Sequence, residues 1–151
     1  MKKAFTLVEI LVVVTIISLL ASIAAVSYSQ FMKQSRDARR KADVEQIRAA
    51  IELYRSFNIN NAYPSPIPAP ATSGMSFGVV GSQIKDGSTI YMNTIPNDPM
   101  ASGLGYSYYY SSVAPYQDYT LCTYVEGSGV DAGVTCGAKN CNYCMGPYGQ
   151  K

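Results

Sequence analysis

From Phe5 to Val26 the chain runs for 22 residues with one charged side chain, Glu9, and only Thr6, Thr15, Ser18 and Ser22 as other polar groups. A helix of that length rises about 33 Å, enough to cross a hydrocarbon layer of ~30 Å. Three readings compete: a membrane anchor, a cleaved secretory signal peptide and a buried helix. The buried helix is the weakest, because the run is apolar on every face and a chain of 151 residues has little material to surround it. A signal peptide is consistent with the basic start Lys2–Lys3 and the small residues of "ASIAAV" at 21–26. Against it, Glu9 sits inside the apolar stretch, and helical character continues past the supposed cut.

Between Tyr28 and Phe57 there is no Gly or Pro, and strong helix formers dominate. Val44, Ile47, Ala50, Ile51, Tyr54 and Phe57 recur at three- and four-residue spacings, one apolar stripe with Arg48, Glu52 and Arg55 expected outward. Arg48 with Glu52, and Asp37 with Lys41, stand four apart, worth about 0.2–0.5 kcal/mol each as surface pairs. Residues 27–57 hold seven Lys or Arg against four Asp or Glu, whereas residues 58–151 hold three against five. The basic run "RDARRK" at 36–41 is interleaved with acid and reads as a solvated face; nucleic acid is not indicated.

"NINNAYPSPIPAPA" at 58–71 ends the helix, since Asn tolerates the left-handed turn and four prolines enforce extended backbone. Beyond it, "FGVV" (77–80), "STIYMNT" (88–94), "YSYYYSS" (106–112) and "DYTLCTYVE" (118–126) are short β-prone segments between turn residues, predicting a small antiparallel sheet. Such a sheet needs an apolar partner, and the stripe from Val44 to Phe57 supplies one. In the Tyr106, Tyr108, Tyr109 and Tyr110 cluster, alternate rings are expected to face the helix and solvent.

The chain has no His, which removes the commonest general base and zinc ligand and argues against an enzyme. Cys122, Cys136, Cys141 and Cys144 all lie in the last thirty residues, an even number beyond the apolar run, favouring disulfides in an oxidising compartment. Four cysteines permit three pairings and the spacing does not choose among them. Zinc is disfavoured because C-x4-C-x2-C is not a paired ribbon, and the C-x-x-C at Cys141 lacks a βαβ setting.

A short Lys-containing leader, then "FTLVEILVVVTIISLLASIAA", a long helix, a linker and a small sheet together resemble the type IV pilin and type II secretion pseudopilin superfamily. "ARRKADVEQIRAAIELYRSFNINNAYP" (38–64) and "IPNDPM" (95–100) before a Tyr-rich strand are similar to G-type major pseudopilins and related short pilins. The resemblance implies an α+β ladle: leader 1–4, transmembrane and assembly half 5–26, amphipathic half 27–57, Pro-rich linker 58–76 and a disulfide-bonded β head 77–151. It implies that a prepilin peptidase cuts between Ala4 and Phe5 and methylates the Phe5 amine. Ala4 departs from the Gly usual before the cut. Ser18 and Val26 stand where relatives often carry Gly and Pro, so a more continuous helix is expected.

A lone carboxylate near a bilayer's middle costs about 2.5–3.5 kcal/mol, less near a helix end. One reading has Glu9 satisfied within its own chain, favoured by the N-terminal end of the helix dipole. The resemblance implies another: Glu9 of an incoming subunit meets the Phe5 ammonium of a subunit already assembled, setting axial register. Implied partners are further copies in a helical homopolymer, the prepilin peptidase, an inner-membrane assembly platform, minor pilins or pseudopilins, and the membrane before assembly. The implied location is the cytoplasmic membrane with the head outside, then an extracellular or envelope filament. Charge alone leaves orientation open, since Lys33, Arg36, Arg39, Arg40 and Lys41 outnumber Lys2 and Lys3. G-type relatives are known for a calcium loop; Asp118, Glu126 and Asp131 lie in the corresponding region, but the loop does not match, so no cofactor is expected. The rival reading is a secreted or membrane-anchored disulfide-bonded binding protein with an ordinary signal sequence.

Overall fold

The computed structural model describes residues 5–66, 75–77, 83–127 and 129–151. Helix α1 spans Leu7–Phe57, 51 residues, without a break at Ser18 or at position 26. Its last bond is Asn58 N–H to the Tyr54 carbonyl. Asn58 Oδ1 then accepts the Asn60 N–H at 3.0 Å, and Asn61 takes the left-handed conformation at φ 49°, so the asparagines turn the chain out of the helix. Part of the expected linker, residues 67–74, and residues 78–80 of the expected strand "FGVV" lie outside the described residues, as does the leader 1–4.

The chain forms two compact units, Met1–Ser35 and Arg36–Lys151, and α1 contributes to both. In the first, the described side chains are exposed on every face of the helix, from Leu7 at 80% to Ile23 at 61%. That is the surface expected of a segment whose apolar partner is something other than its own chain.

The second unit is α+β. Its strands are β1 (Met75–Phe77), β2 (Ile84–Asp86), β3 (Thr89–Met92), β4 (Tyr108–Ser111), β5 (Thr120–Thr123), β6 (Thr135–Cys136), β7 (Lys139–Asn140), β8 (Tyr143–Gly146) and β9 (Gly149–Gln150), with the single-turn helix α2 at Ala101–Leu104. The main sheet has the order β1-β4-β5-β8-β9, with every pair antiparallel; β2-β3 and β6-β7 are separate hairpins. Register explains the two faces. Tyr110, Leu121 and Met145 form one row across β4, β5 and β8, and Tyr109, Cys122 and Cys144 form the next. Side chains alternate across a strand, so the first row joins Val44, Ile47, Ala50 and Ile51 of α1 in the core, and the second joins the cysteine cluster.

Several expectations need correcting. Phe57 does not belong to the buried stripe: it is 73% exposed and stacks on Tyr91 with ring centroids 6.4 Å apart. Tyr109 does not face open solvent, because the disulfide cluster covers that side. Glu52 and Arg55 do not simply turn outward: Glu52 accepts the phenol hydroxyls of Tyr63 and Tyr119, and Arg55 donates to the Tyr63 oxygen at 2.8 Å. Arg48 pairs with Glu45 rather than Glu52, at 3.3 Å. Within α1, Asp37 pairs with Arg40 rather than Lys41, at 2.9 Å. In each case a partner brought from the head outcompetes, or re-aims, the weak helix-surface pair.

Candidate assembly site

At the start of α1, the Thr6 carbonyl accepts the Ile10 N–H, making Thr6 the residue that caps the helix. Its hydroxyl oxygen accepts the Glu9 N–H at 3.2 Å, and Glu9 Oε2 reaches back to accept the Thr6 N–H at 2.9 Å and the Thr6 hydroxyl at 2.8 Å. This reciprocal arrangement is a capping box, in which two otherwise orphaned backbone donors are satisfied by side chains three residues apart. Both oxygen contacts fall on Oε2; among the described residues nothing is bonded to Oε1. Phe5 precedes the cap and is 79% exposed. Ala4, the other expected processing residue, lies outside the described residues. The sequence reading noticed the acid and missed the box, although T-x-x-E at 6–9 is its signature.

Further along, the hydroxyl groups of the apolar run are turned inward to the helix. Thr15 donates to the Val12 carbonyl at 2.8 Å, Ser18 to Val14 at 2.7 Å and Ser22 to Leu19 at 2.8 Å. Each polar hydrogen is therefore used within the segment, as an apolar solvent requires. By length and composition α1 can cross a membrane.

The head holds a charge cluster that sequence reasoning assigned to a solvated face. Arg40 is fully buried: it donates to Asp98 at 2.7 and 3.2 Å, to Asp37 at 2.9 Å and to Glu126 at 3.0 Å, with its guanidinium 5.5 Å from the centre of the Tyr106 ring. Arg36 grips Glu126 through two bonds of 2.6 Å. Asp37 also accepts the backbone N–H groups of Glu126 and Gly127, and Asp98 that of Met100. The cluster thus ties α1 to the "IPNDPM" segment and to the turn after β5. Burial by itself would lower the Arg40 pKa, but the hydrogen bonds it donates to Asp98 and Glu126 outweigh it and hold the group firmly protonated. The Arg36 hydrogen bonds draw Glu126 down to about 2. Burial, reinforced by donation to Asp43 at 2.6 Å, keeps the Tyr108 phenol protonated far above its ordinary range. The only sequence hint was the acid at position 98, between Asn97 and Pro99, which by itself names no partner.

Cys122 is bonded to Cys144, and Cys136 to Cys141. The first pair joins residues directly opposite on β5 and β8; the second closes the β6-β7 hairpin. In that hairpin Gly137 has φ 72°, and a Cβ there would collide with the Gly105 carbonyl, so this turn demands glycine. The acids weighed for calcium do not converge: Asp118 binds Lys151, Glu126 binds Arg36 and Arg40, and Asp131 accepts from Gly133 N–H and Asn140. Among the described residues no group of three or more metal-binding side chains is gathered.

A family model described as the prokaryotic N-terminal methylation motif matches residues 1–25. Among curated proteins, a type IV major fimbrial protein FimA of Dichelobacter nodosus is 40% identical over 52 residues, 34% of this chain and 33% of the relative. Another FimA of that organism matches at the same identity over 34% of this chain and 32% of its own length. The chain thus spans about a third of the length of the curated relatives it matches. No solved structure matches. A methylation motif over residues 1–25 that runs into a self-capped apolar helix, followed by small antiparallel sheets, marks this chain as having pilin-like α+β architecture, similar over a third of its length to type IV fimbrial subunits.

Proposed function

We propose that the chain is a structural, non-catalytic subunit of a filament of the type IV pilus or type II secretion pseudopilus kind. The observation that carries this is the first unit of the structure: an apolar helix whose described side chains lie exposed on every face, bearing one fixed carboxylate in its first turn, within a methylation motif. A prepilin peptidase cuts between Ala4 and Phe5 and methylates the Phe5 amine, leaving an ammonium beside the capping box. Before assembly the helix crosses the cytoplasmic membrane once, with the disulfide-bonded head outside. It then leaves lipid for the helices of neighbouring copies, helped by an assembly platform and minor subunits, in a heterologous array that closes on no ring. Within it, Glu9 Oε2 holds the cap while Oε1 accepts the Phe5 ammonium of a copy already in place. Removing one partner of a buried ion pair costs about 3–5 kcal/mol, so the pair sets register even where it adds little net stability.

The capping box supplies the test. Glu9→Gln retains a box-forming side chain and loses the charge; Glu9→Ala loses both. In the native host, with membrane insertion as control, both substitutions are expected to abolish fibres. Fibres in the Gln variant and none in the Ala variant would reduce Glu9 to a helix cap. Normal fibres in both, or a mature chain starting near residue 26, would favour the secreted or anchored binding protein.

A further inference from the structure

Nothing in the composition of the first residues stops a helix. Met1, Lys2, Lys3 and Ala4 are good helix formers, Ala the best of them, and no Gly or Pro stands before Pro64. By propensity alone α1 would run back through Phe5 into the leader. It starts instead at Leu7, with Phe5 outside the helix and 79% exposed. The Thr6–Glu9 box holds that boundary. The Thr6 N–H, which a longer helix would direct to the carbonyl four residues earlier, is taken by Glu9 Oε2. The Glu9 N–H, which a longer helix would return to the Phe5 carbonyl, is taken by the Thr6 hydroxyl oxygen. A peptide bond wound into a helix has its N–H and C=O engaged and lies packed between turns, so a hydrolase must unwind it before attack.

We infer that Thr6 is a positioning residue for removal of the leader: by closing the box with Glu9 it fixes the start of α1 beyond Phe5 and keeps the Ala4–Phe5 bond out of the helix, in a form the peptidase can bind. This rests on the processing step of the function proposed above and deepens it. The box then has two successive tasks. Before the cut it sets the shape of the substrate, and after the cut the same bonds hold Glu9 for assembly.

The full chain in detergent is presented to membranes of the native host, and KM and kcat for leader removal are measured beside the Cα chemical shift of Phe5 in the uncut chain. Thr6→Ala is expected to move that shift towards its helical value and to raise KM about two- to fivefold with kcat unchanged, since losing an N-cap moves a helix boundary by about that factor and only the unwound fraction binds. Thr6→Ser, which closes the same box, is expected to retain the native KM. Leu7→Pro fixes the boundary by another route, because Pro is accepted at the first helical position and bars the residue before it from helical conformation. In the Leu7→Pro background Thr6→Ala is therefore expected to change neither KM nor the shift. An unchanged KM for Thr6→Ala in the native background would overturn the inference. So would a rise that persists in the Leu7→Pro background, which would make Thr6 a direct contact of the peptidase. A native chain left uncut by the same membranes would overturn the processing step itself.

Discussion

The stretches of α1 before and after Ser35 dispose of their polar groups in opposite ways. Before it, Thr6, Glu9, Thr15, Ser18 and Ser22 bond within three or four residues of themselves, and none of the described apolar side chains there is buried. After it, Arg36, Asp37, Arg40, Asp43 and Glu52 reach partners 58 to 90 residues away, and Val44, Ile47 and Ile51 are fully buried. One helix therefore contains a segment that is complete as a helix and lacks only an apolar environment, and a segment that is a component of a globular core. Mutations should report the difference as stability of the head.

The largest effect is expected at Arg40. Arg40→Ala leaves Asp98 buried without its cation, and unfolding of the full chain in detergent, followed by tyrosine near-ultraviolet signal, should show a loss of about 3–5 kcal/mol. A loss below about 1 kcal/mol would mean that the cluster is as weak as an exposed pair. Next come the bridges. Replacing Cys122 and Cys144 by Ser should cost about 3 kcal/mol, and replacing Cys136 and Cys141 about 2, because the shorter loop restricts the unfolded chain less.

Acid gives a smaller effect. Glu126 titrates at about 2 in the folded head against an ordinary 4.5, so its contribution is present above pH 4.5 and is lost as pH falls towards 2. Unfolding at pH 3 should show about 1–2 kcal/mol less stability than at pH 6, and Glu126→Gln should flatten that slope. The smallest effect belongs to the other stretch: Ile17→Ala should leave head unfolding within about 0.5 kcal/mol, since Ile17 is exposed and lies outside the core of the head. A larger change would break the contrast between the two stretches.

The helix, its end at the asparagines and the apolar stripe from Val44 to Ile51 were legible, because periodicity and turn chemistry are local. The strands at 89–92, 108–111 and 120–123 were legible for the same reason. Strand β8 was missed, as its four residues, Tyr143, Cys144, Met145 and Gly146, include no β-branched residue. The capping box was present in the sequence and went unread. The Arg40 cluster was not readable: Arg36 to Lys41 looked like solvated charge because the carboxylates that bury it, Asp98 and Glu126, come from loops whose approach depends on the whole sheet.

What the chain order settled unaided was a 51-residue helix, an N-terminal half suited to lipid, and an oxidised β head, since these follow from hydrophobic pattern, backbone preferences and cysteine count. Only the folded head decided which cysteines pair, which arginines leave water and which tyrosines find carboxylates. Those outcomes depend on strand register, where a shift of one residue would turn Cys122 and Cys144 to the helix side and Leu121 away from it.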